Sequence, residues 1–518
     1  MTPALYETRY ATRALVCTVD ALAAQAGLEA LRAGGTAADA AIAACAVLAV
    51  TQQHQCGLGG DLLCLVHIDG EGRPSALNAS GRAGSGADPE RLRAAGHRRI
   101  PAVGDPACAP VPGCVDGWLA LHERFGRLPF ATLLERARHA AAEGFAASPG
   151  LAAASQALAE VPAAEQVTGA EDFTGAGALR AGQLVRRPGV ARVLEALAAG
   201  GRDAVYGGEF GRAVLAVGAG EYVESDLARS QAEWVAALGI EAFGGRLWSL
   251  PPNSQGYLTL ASAAVASELE LPAPGEPLWA HLLIETSRAA AADRDAVWHE
   301  GSDGEALISP ARLEELRSRV SARRAASVAA APVAGGTVSL CVVDGAGMAV
   351  SLLQSNFQSW GSMLFLPGIG VPLHDRGASF SLRPGHPALY GPGRRPPHTL
   401  APALLTGSDG SLRAALATRG GEIQPQILLQ LLSRLYAAGQ PPAEAMAAGR
   451  FAVLGDEVLV EGHAPAPWAK ALAARGHPVS VDAPFAQEFG HAQLIVRTRD
   501  GFAGASDPRS ESWGVAGW

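Results

Sequence analysis

The sequence predicts a layered α/β fold, and three observations carry that expectation. Thr337 to Asp344 and Met348 to Ser355 read as two strands joined by a turn at Asp344-Gly345-Ala346-Gly347. Segments with helical spacing precede this hairpin, at Asp20 to Arg32, Leu133 to Ala142 and Leu278 to Trp298. A further one, opened by Pro425 and running through Tyr436, follows it. An apolar hairpin with helices on both sides buries its surfaces most simply as stacked layers.

In Asp20 to Arg32 the apolar contacts Leu22, Leu28 and Leu31 repeat, and Gly34-Gly35 ends the helix. Thr36 caps the next helix, with Asp39 three residues on, near its positive end. Ala40 to Val50 is apolar but shorter than the roughly 20 residues of a membrane span, so it reads as a buried helix. Leu62 to Ile68 is a short apolar strand. Ser321 to Gly336 is Ala-rich, carries Pro332, Gly335 and Gly336, and has little strand character; it reads as a segment kept mobile or strained. Pro367 to Pro397 is a loop region dense in Pro and Gly, and Ala414 to Thr418 is a strand run into Gly420-Gly421. There is no repeat at a fixed period.

A chain of 518 residues is long enough for two domains, or for one large layered core. The formal net charge of −9, with no basic run or stripe, argues against a nucleic-acid partner, and no apolar stretch suits a membrane helix. Arg9, Arg13 and scattered polar residues stand where a signal peptide would need an apolar block, which predicts a cytoplasmic protein. The seven cysteines (17, 45, 56, 64, 108, 114 and 341) are odd in number and lack a Cys-x-x-Cys pair, so they predict buried packing residues, neither a disulfide framework nor a zinc site. No cluster of His, Cys and acidic residues shows metal-ligand spacing, and the expectation is no metal and no cofactor. Gly57-Leu58-Gly59-Gly60 lacks the glycine spacing of a dinucleotide fingerprint, and Ser254 in Pro252-Asn253-Ser254-Gln255-Gly256 lacks the leading glycine of a nucleophile elbow.

The chemistry centres on Thr337, which follows Gly335-Gly336 and opens the first strand of the hairpin. If the chain is cut between Gly336 and Thr337, that Thr gains a free α-amine with an ordinary pKa of roughly 7.7–8.0, which serves as its own base near neutrality. Gly336, without a side chain, suits a strained scissile bond.

Three further segments complete a pattern. They are Gly34-Gly35-Thr36-Ala37-Ala38-Asp39-Ala40-Ala41 with Gly57 to Asp61; Val111-Pro112-Gly113-Cys114-Val115 with Glu143-Gly144-Phe145; and Arg395-Pro396-Pro397-His398-Thr399-Leu400-Ala401-Pro402 leading to Gly420-Gly421. With the Thr337 hairpin they resemble the γ-glutamyltransferase family of N-terminal-nucleophile hydrolases, over nearly the whole chain. The resemblance implies an α/β (α+β) four-layer αββα sandwich and autocleavage into a large fragment, 1–336, and a small one, 337–518. These would remain together as a heterodimer, alone or as a dimer of heterodimers, acting on a small-molecule amide. It further implies Thr337 as nucleophile, Ser355 as the hydroxyl that hydrogen-bonds it, Gly420 and Gly421 as oxyanion donors, and His398 and Thr399 as substrate contacts in place of a serine pair.

The chain departs from the typical transferase where the glutamyl head group would bind. Ser80 stands where an Arg grips the α-carboxylate, with Arg82 two residues on. Ser379 replaces the Asp that holds the α-amine, Arg376 replaces a Gln, and Phe357 replaces an Asn, with Asn356 beside it. Without that Asp, a buried ammonium has no obvious partner. Arg82 and Arg376 instead suggest a site for an acid without a nearby amine. Asn78-Ala79-Ser80-Gly81-Arg82, Arg376-Gly377 and His398-Thr399-Leu400 are similar to the branch holding oxamate amidohydrolase and glutaryl-type cephalosporin acylases. The expectation is therefore an autoprocessed amide hydrolase acting on a carboxylate-bearing acyl group. The alternatives are a true γ-glutamyltransferase or glutathione hydrolase and an uncleaved, inactive scaffold.

Overall fold

The computed structural model describes residues 6–161, 169–174, 177–326, 335–510 and 512–518. Much of the Ala-rich stretch before Thr337 (327–334) lies outside the described residues.

Two seven-stranded sheets, antiparallel throughout, form the middle of the molecule. The first runs, in spatial order, Gly514–Gly517, Leu15–Thr18, Gly336–Val343, Met348–Phe357, Asp61–Ile68, Ser75–Ala79 and Glu233–Ala236. The second runs Arg9–Ala11, Gly501–Ser506, Ala492–Thr498, Leu412–Thr418, Ala403–Thr406, Gly245–Ser249 and Leu238–Ala242.

Strand alternation sorts the side chains into three apolar cores, and three cores between layers make four layers. Val338, Leu340 and Val342 face helices Ala21–Arg32, Ala37–Thr51 and Cys114–Phe125. Cys341 and Val343, on the opposite parity, meet Leu404, Ala415 and Ile495 of the second sheet. The far face of that sheet, with Leu247, Leu405, Leu416 and Leu494, packs on helices Gly256–Ser267, Pro277–Ala291 and Gln424–Leu432. The expected αββα order is the one observed. Thr337 shares parity with Cys341, so its side chain points between the sheets.

Helix Ala37–Thr51 is buried along its whole length, which is why it is apolar on every side. Its start is held by polar groups: Thr36 and Asp39 form a capping box, and Asp344 of the hairpin turn accepts from Ala37 N at 2.8 Å. Two expected helices are broken. Leu133 to Ala142 is split between Phe130–Leu133 and Glu135–Glu143, and the second helix from Leu278 stops at Ala291, with Arg294–Val297 a separate turn. The seven cysteines are buried and free, and no helix among the described residues is long and apolar enough to cross a membrane.

Asp39 also accepts from the backbone N–H of Arg127 at 3.0 Å and of Leu128 at 3.3 Å. Asp39→Ala, which strands these buried donors, is expected to cost about 2–3 kcal/mol in urea unfolding without moving the Thr337 hairpin.

Candidate active site

The hairpin register sets Thr337 directly opposite Ser355 and shifts between Gly336 and Thr337, so that Asn356 is the extra residue of a bulge. Both hydroxyls face the second sheet, and Thr337 Oγ1 lies 2.9 Å from Ser355 Oγ. Ser355 Oγ also lies 2.8 Å from the carbonyl oxygen of Gly336, the acyl group of the bond preceding Thr337. Phe357 N donates to Ser355 Oγ at 2.8 Å and Arg376 Nη2 at 3.1 Å. Those two donors fill the lone pairs of Ser355, so its single proton is directed at the Gly336 carbonyl or the Thr337 hydroxyl.

Gly335 and Gly336 enter this site through a tight slot. A Cβ on Gly335 would lie 3.1 Å from Gly421 Cα, and one on Gly336 would lie 3.2 Å from the backbone of Gln358 and Ser359. On the other wall, Gly420 and Gly421 adopt φ of 143° and 58°, values that favour glycine. Among the described residues neither amide N–H donates to a protein acceptor, and Gly421 N lies 3.3 Å from the position of a Gly335 Cβ. Gly421 opens a short 3₁₀ turn, where unpaired amides are expected.

Behind the hydroxyls lies a buried charge network centred on Asp61, the first residue of its strand. Arg376 Nε donates to Asp61 Oδ2 at 2.9 Å and His398 Nε2 at 2.8 Å, and His374 Nδ1 lies 3.2 Å from the same oxygen. Burial opposes ionisation of Asp61, but Arg376, His398 and these hydrogen bonds outweigh it and hold the carboxyl well below the usual carboxylate range. His398 is pushed down to about 4 by burial and by the nearby Arg376. Its Nδ1 accepts from Leu400 N at 3.2 Å, which fixes the neutral Nε2–H tautomer. Arg376 further donates from Nη1 to Thr399 Oγ1 at 2.8 Å and stacks on Phe357, 4.3 Å from the ring centroid.

Thr337, Ser355, Gly336, Gly420, Gly421, Arg376, His398 and Thr399 thus converge. Arg376 and Arg82, expected to receive a substrate carboxylate, are both engaged elsewhere. Arg376 is fully buried on Asp61, Ser355 and Thr399. Arg82 pairs with Glu233 at 3.1 Å and Glu300 at 3.5 Å and donates to Gly393 O, away from this cluster. Asn356, expected to touch substrate, turns to the other side of its strand and donates to Gln53 O at 2.9 Å. Ser379 ends a 3₁₀ turn beginning at Arg376 and lines a cleft of about 580 Å³ together with Arg98, Arg99, Phe357, Gln358 and Glu422. Asp61, His374 and Gln255 were missed from the sequence. Asp61 closes the Gly57 to Asp61 segment that carries part of the resemblance, but no role was assigned to it there.

The family model described as gamma-glutamyltranspeptidase matches residues 23–517. The chain belongs to the γ-glutamyltranspeptidase family. It is 34% identical to an oxamate amidohydrolase proenzyme of Klebsiella pneumoniae, over 98% of this chain and 99% of that one. It is 30% identical to a glutathione hydrolase-like YwrD proenzyme of Bacillus subtilis, over 97% and 98%. The crystal structure of a cephalosporin acylase from Bacillus halodurans superposes with a TM-score of 0.92 at 32% identity, covering 100% and 98% of the two chains. As a γ-glutamyltranspeptidase-family member near the oxamate and acylase branch, it is an enzyme of the amidohydrolase and acyl-transfer kind.

Among the described residues this family member also carries one buried group with metal-ligand proximity, which sequence spacing did not reveal because His477 is remote from His281 and Glu285. The lone pairs of both histidine rings are already taken. Arg288 Nη1 donates to His477 Nδ1 at 2.9 Å, so His477 carries its proton on Nε2 and donates to His281 Nδ1 at 2.7 Å. His281 Nε2 then donates to Ser321 O at 2.7 Å, and Glu285 accepts from Ala326 N at 2.8 Å. The donor set fits a hydrogen-bond relay tying down residues 321–326, and it does not fit a cation.

Asp375, next to Arg376, accepts from Gln358 N at 2.9 Å, while its other oxygen has no hydrogen-bond partner. Burial raises its pKa from 3.8 to about 7. The unfolded state therefore loses this proton first, and the native state is progressively penalised as pH rises from about 4 to 7. Asp375→Asn is expected to raise the unfolding temperature at pH 8 and to leave it nearly unchanged at pH 4, as read by calorimetry.

Proposed function

We propose that this chain cuts itself between Gly336 and Thr337 and then hydrolyses an amide whose acyl part bears a carboxylate, through an acyl-enzyme on Thr337. The observation that carries the reading is the compact set of Thr337 Oγ1, Ser355 Oγ and Gly336 O, in which one proton serves both the nucleophile and the scissile carbonyl. In the uncut chain Ser355 polarises the Gly336 carbonyl while Thr337 Oγ attacks it, shifting the acyl group from nitrogen to oxygen. Water releases the ester. Arg376, donating to Ser355, makes its O–H a stronger donor.

After cleavage the new α-amine of Thr337 takes the hydroxyl proton as Oγ attacks the substrate carbonyl, passes that proton to the departing amine, and water then releases the acyl group from Oγ as the free acid. The amides of Gly420 and Gly421, lying where Gly335 left, stabilise the oxyanion. The fragments 1–336 and 337–518 remain joined because Leu15–Thr18 and Asp61–Ile68 of the large one pair with strands Gly336–Val343 and Met348–Phe357 beyond the cut. The description of both curated relatives as proenzymes supports this self-processing.

For the substrate, the cleft beside Phe357 and Gln358 carries more positive than negative charge. Its acids are matched: Glu422 by Arg294, and Asp295 by Arg383 and His386. Arg98 and Arg99 have no carboxylate partner among the described residues. A cleft of that balance suits a carboxylate and offers no free acid to a substrate ammonium, which favours oxamate-like or glutaryl-like amides over a γ-glutamyl group.

Mass spectrometry of the purified protein should find a fragment beginning at Thr337. Thr337→Ala should stay uncut and inactive, and Ser355→Ala should lose on the order of 10²-fold in both steps. In a substrate panel, oxamate and glutaryl-amides should be turned over faster than glutathione and γ-glutamyl-anilide. A clear preference for glutathione would contradict the substrate reading while leaving the nucleophile intact.

A further inference from the structure

We infer that Gln255 is a positioning residue that sets the amides of Gly420 and Gly421, with Arg294 and Glu422 bracing it from behind; the inference rests on the oxyanion role proposed above. A Gly-Gly turn resists rotation less than any other dipeptide, so its geometry has to be imposed by contacts. The side chain that imposes it is Gln255, fully buried at the start of helix Gly256–Ser267. Its Nε2 donates to Gly421 O at 2.8 Å and to Thr399 O at 2.6 Å, one hydrogen for each carbonyl. Its Oε1 accepts from Arg294 Nη2 at 3.0 Å. Because carbonyls only accept and a guanidinium only donates, the orientation of this amide is unambiguous.

Arg294 is itself fixed. Nη1 donates to Glu422 Oε2 at 2.7 Å, and the guanidinium lies 4.0 Å from the ring centroid of Trp298. Glu422 directly follows Gly421, so the turn is gripped twice, through its own carbonyl and through its neighbour's carboxylate. Thr399, the other residue held by Gln255, takes the hydrogen bond from Arg376, which also donates to Ser355. Gln255 thus fixes the distance between the two halves of the site: oxyanion donors on one wall and hydroxyls on the other. Backbone ties reinforce this, with Gln255 N donating to His398 O at 2.9 Å.

The two reactions make different demands on this bracket. The Gly336 carbonyl attacked in self-cleavage accepts from Ser355 Oγ, whereas a substrate oxyanion needs the Gly420 and Gly421 amides. Loosening the bracket should therefore separate the two steps, which a general folding defect would not do.

The test uses the full-length chain as wild type, Gln255→Ala, Gln255→Glu and Arg294→Ala. It measures formation of the Thr337-headed fragment, steady-state hydrolysis of glutaryl-p-nitroanilide, and thermal unfolding. In Gln255→Glu an oxygen faces the two carbonyls, so donation is lost at constant size. For both Gln255 variants kcat should fall on the order of 10²-fold, with KM and the self-cleavage rate within about threefold of wild type. Arg294→Ala, at a partly exposed position, should show the same split with a smaller loss. The proposal is overturned if the Gln255 variants keep the wild-type kcat. It is equally overturned if self-cleavage and kcat fall together in step with the unfolding temperature. A wild-type enzyme that hydrolyses the substrate while its chain is still continuous would overturn this inference and the Thr337 reading together.

Discussion

The ion pair between Asp61 and Arg376 is the constraint on which the site rests. Both groups are wholly buried, and neither is tolerable alone: removing one partner of such a pair typically costs about 3–5 kcal/mol. Held in place by Asp61, the guanidinium turns one edge to Ser355 and the other to Thr399. The charge of a carboxylate opening one strand is thereby converted into the orientation of a serine proton at the end of the next. His398 and His374 complete the coordination of Asp61, which explains why a bulky histidine stands in a place where the resemblance implies a small hydroxyl residue.

The sandwich provides this arrangement through parity. Thr337 and Ser355 are cross-strand neighbours that both face the second sheet, so the hydroxyls meet by register alone. The second sheet delivers Thr418 and the Gly420-Gly421 turn to the same gap, and the loop from Pro396 to Leu400 closes it through Ser254 and Gln255. Each wall comes from a different layer. The geometry between walls is therefore set by a few long-range polar contacts, and the apolar cores fix only the layers themselves.

Much of this was legible in the sequence. The Gly-Gly-Thr hairpin, the Ser opposite it and the Gly-Gly turn are local signals, and strand periodicity put Thr337 at a strand start. The layer order came from the family resemblance, since periodicity alone does not say which face meets which. The acidic partners of Arg82 and Arg376 were not legible for a physical reason: an arginine's neighbours depend on which acids the fold brings to it. Asp61 reaches Arg376 and Glu233 reaches Arg82 only across the folded sheets. Gln255 escaped notice for the same reason, because its partners Gly421 and Thr399 lie far along the chain.

The central claim is that the hydroxyl of a newly exposed Thr337 carries the acyl group. The most direct test is rapid acid quenching during turnover of a glutaryl-amide, followed by peptide mass analysis. The account expects the acyl mass on the peptide that begins with Thr337 and nowhere else. An acyl group on another residue, or turnover by a chain unbroken at Gly336, would contradict it.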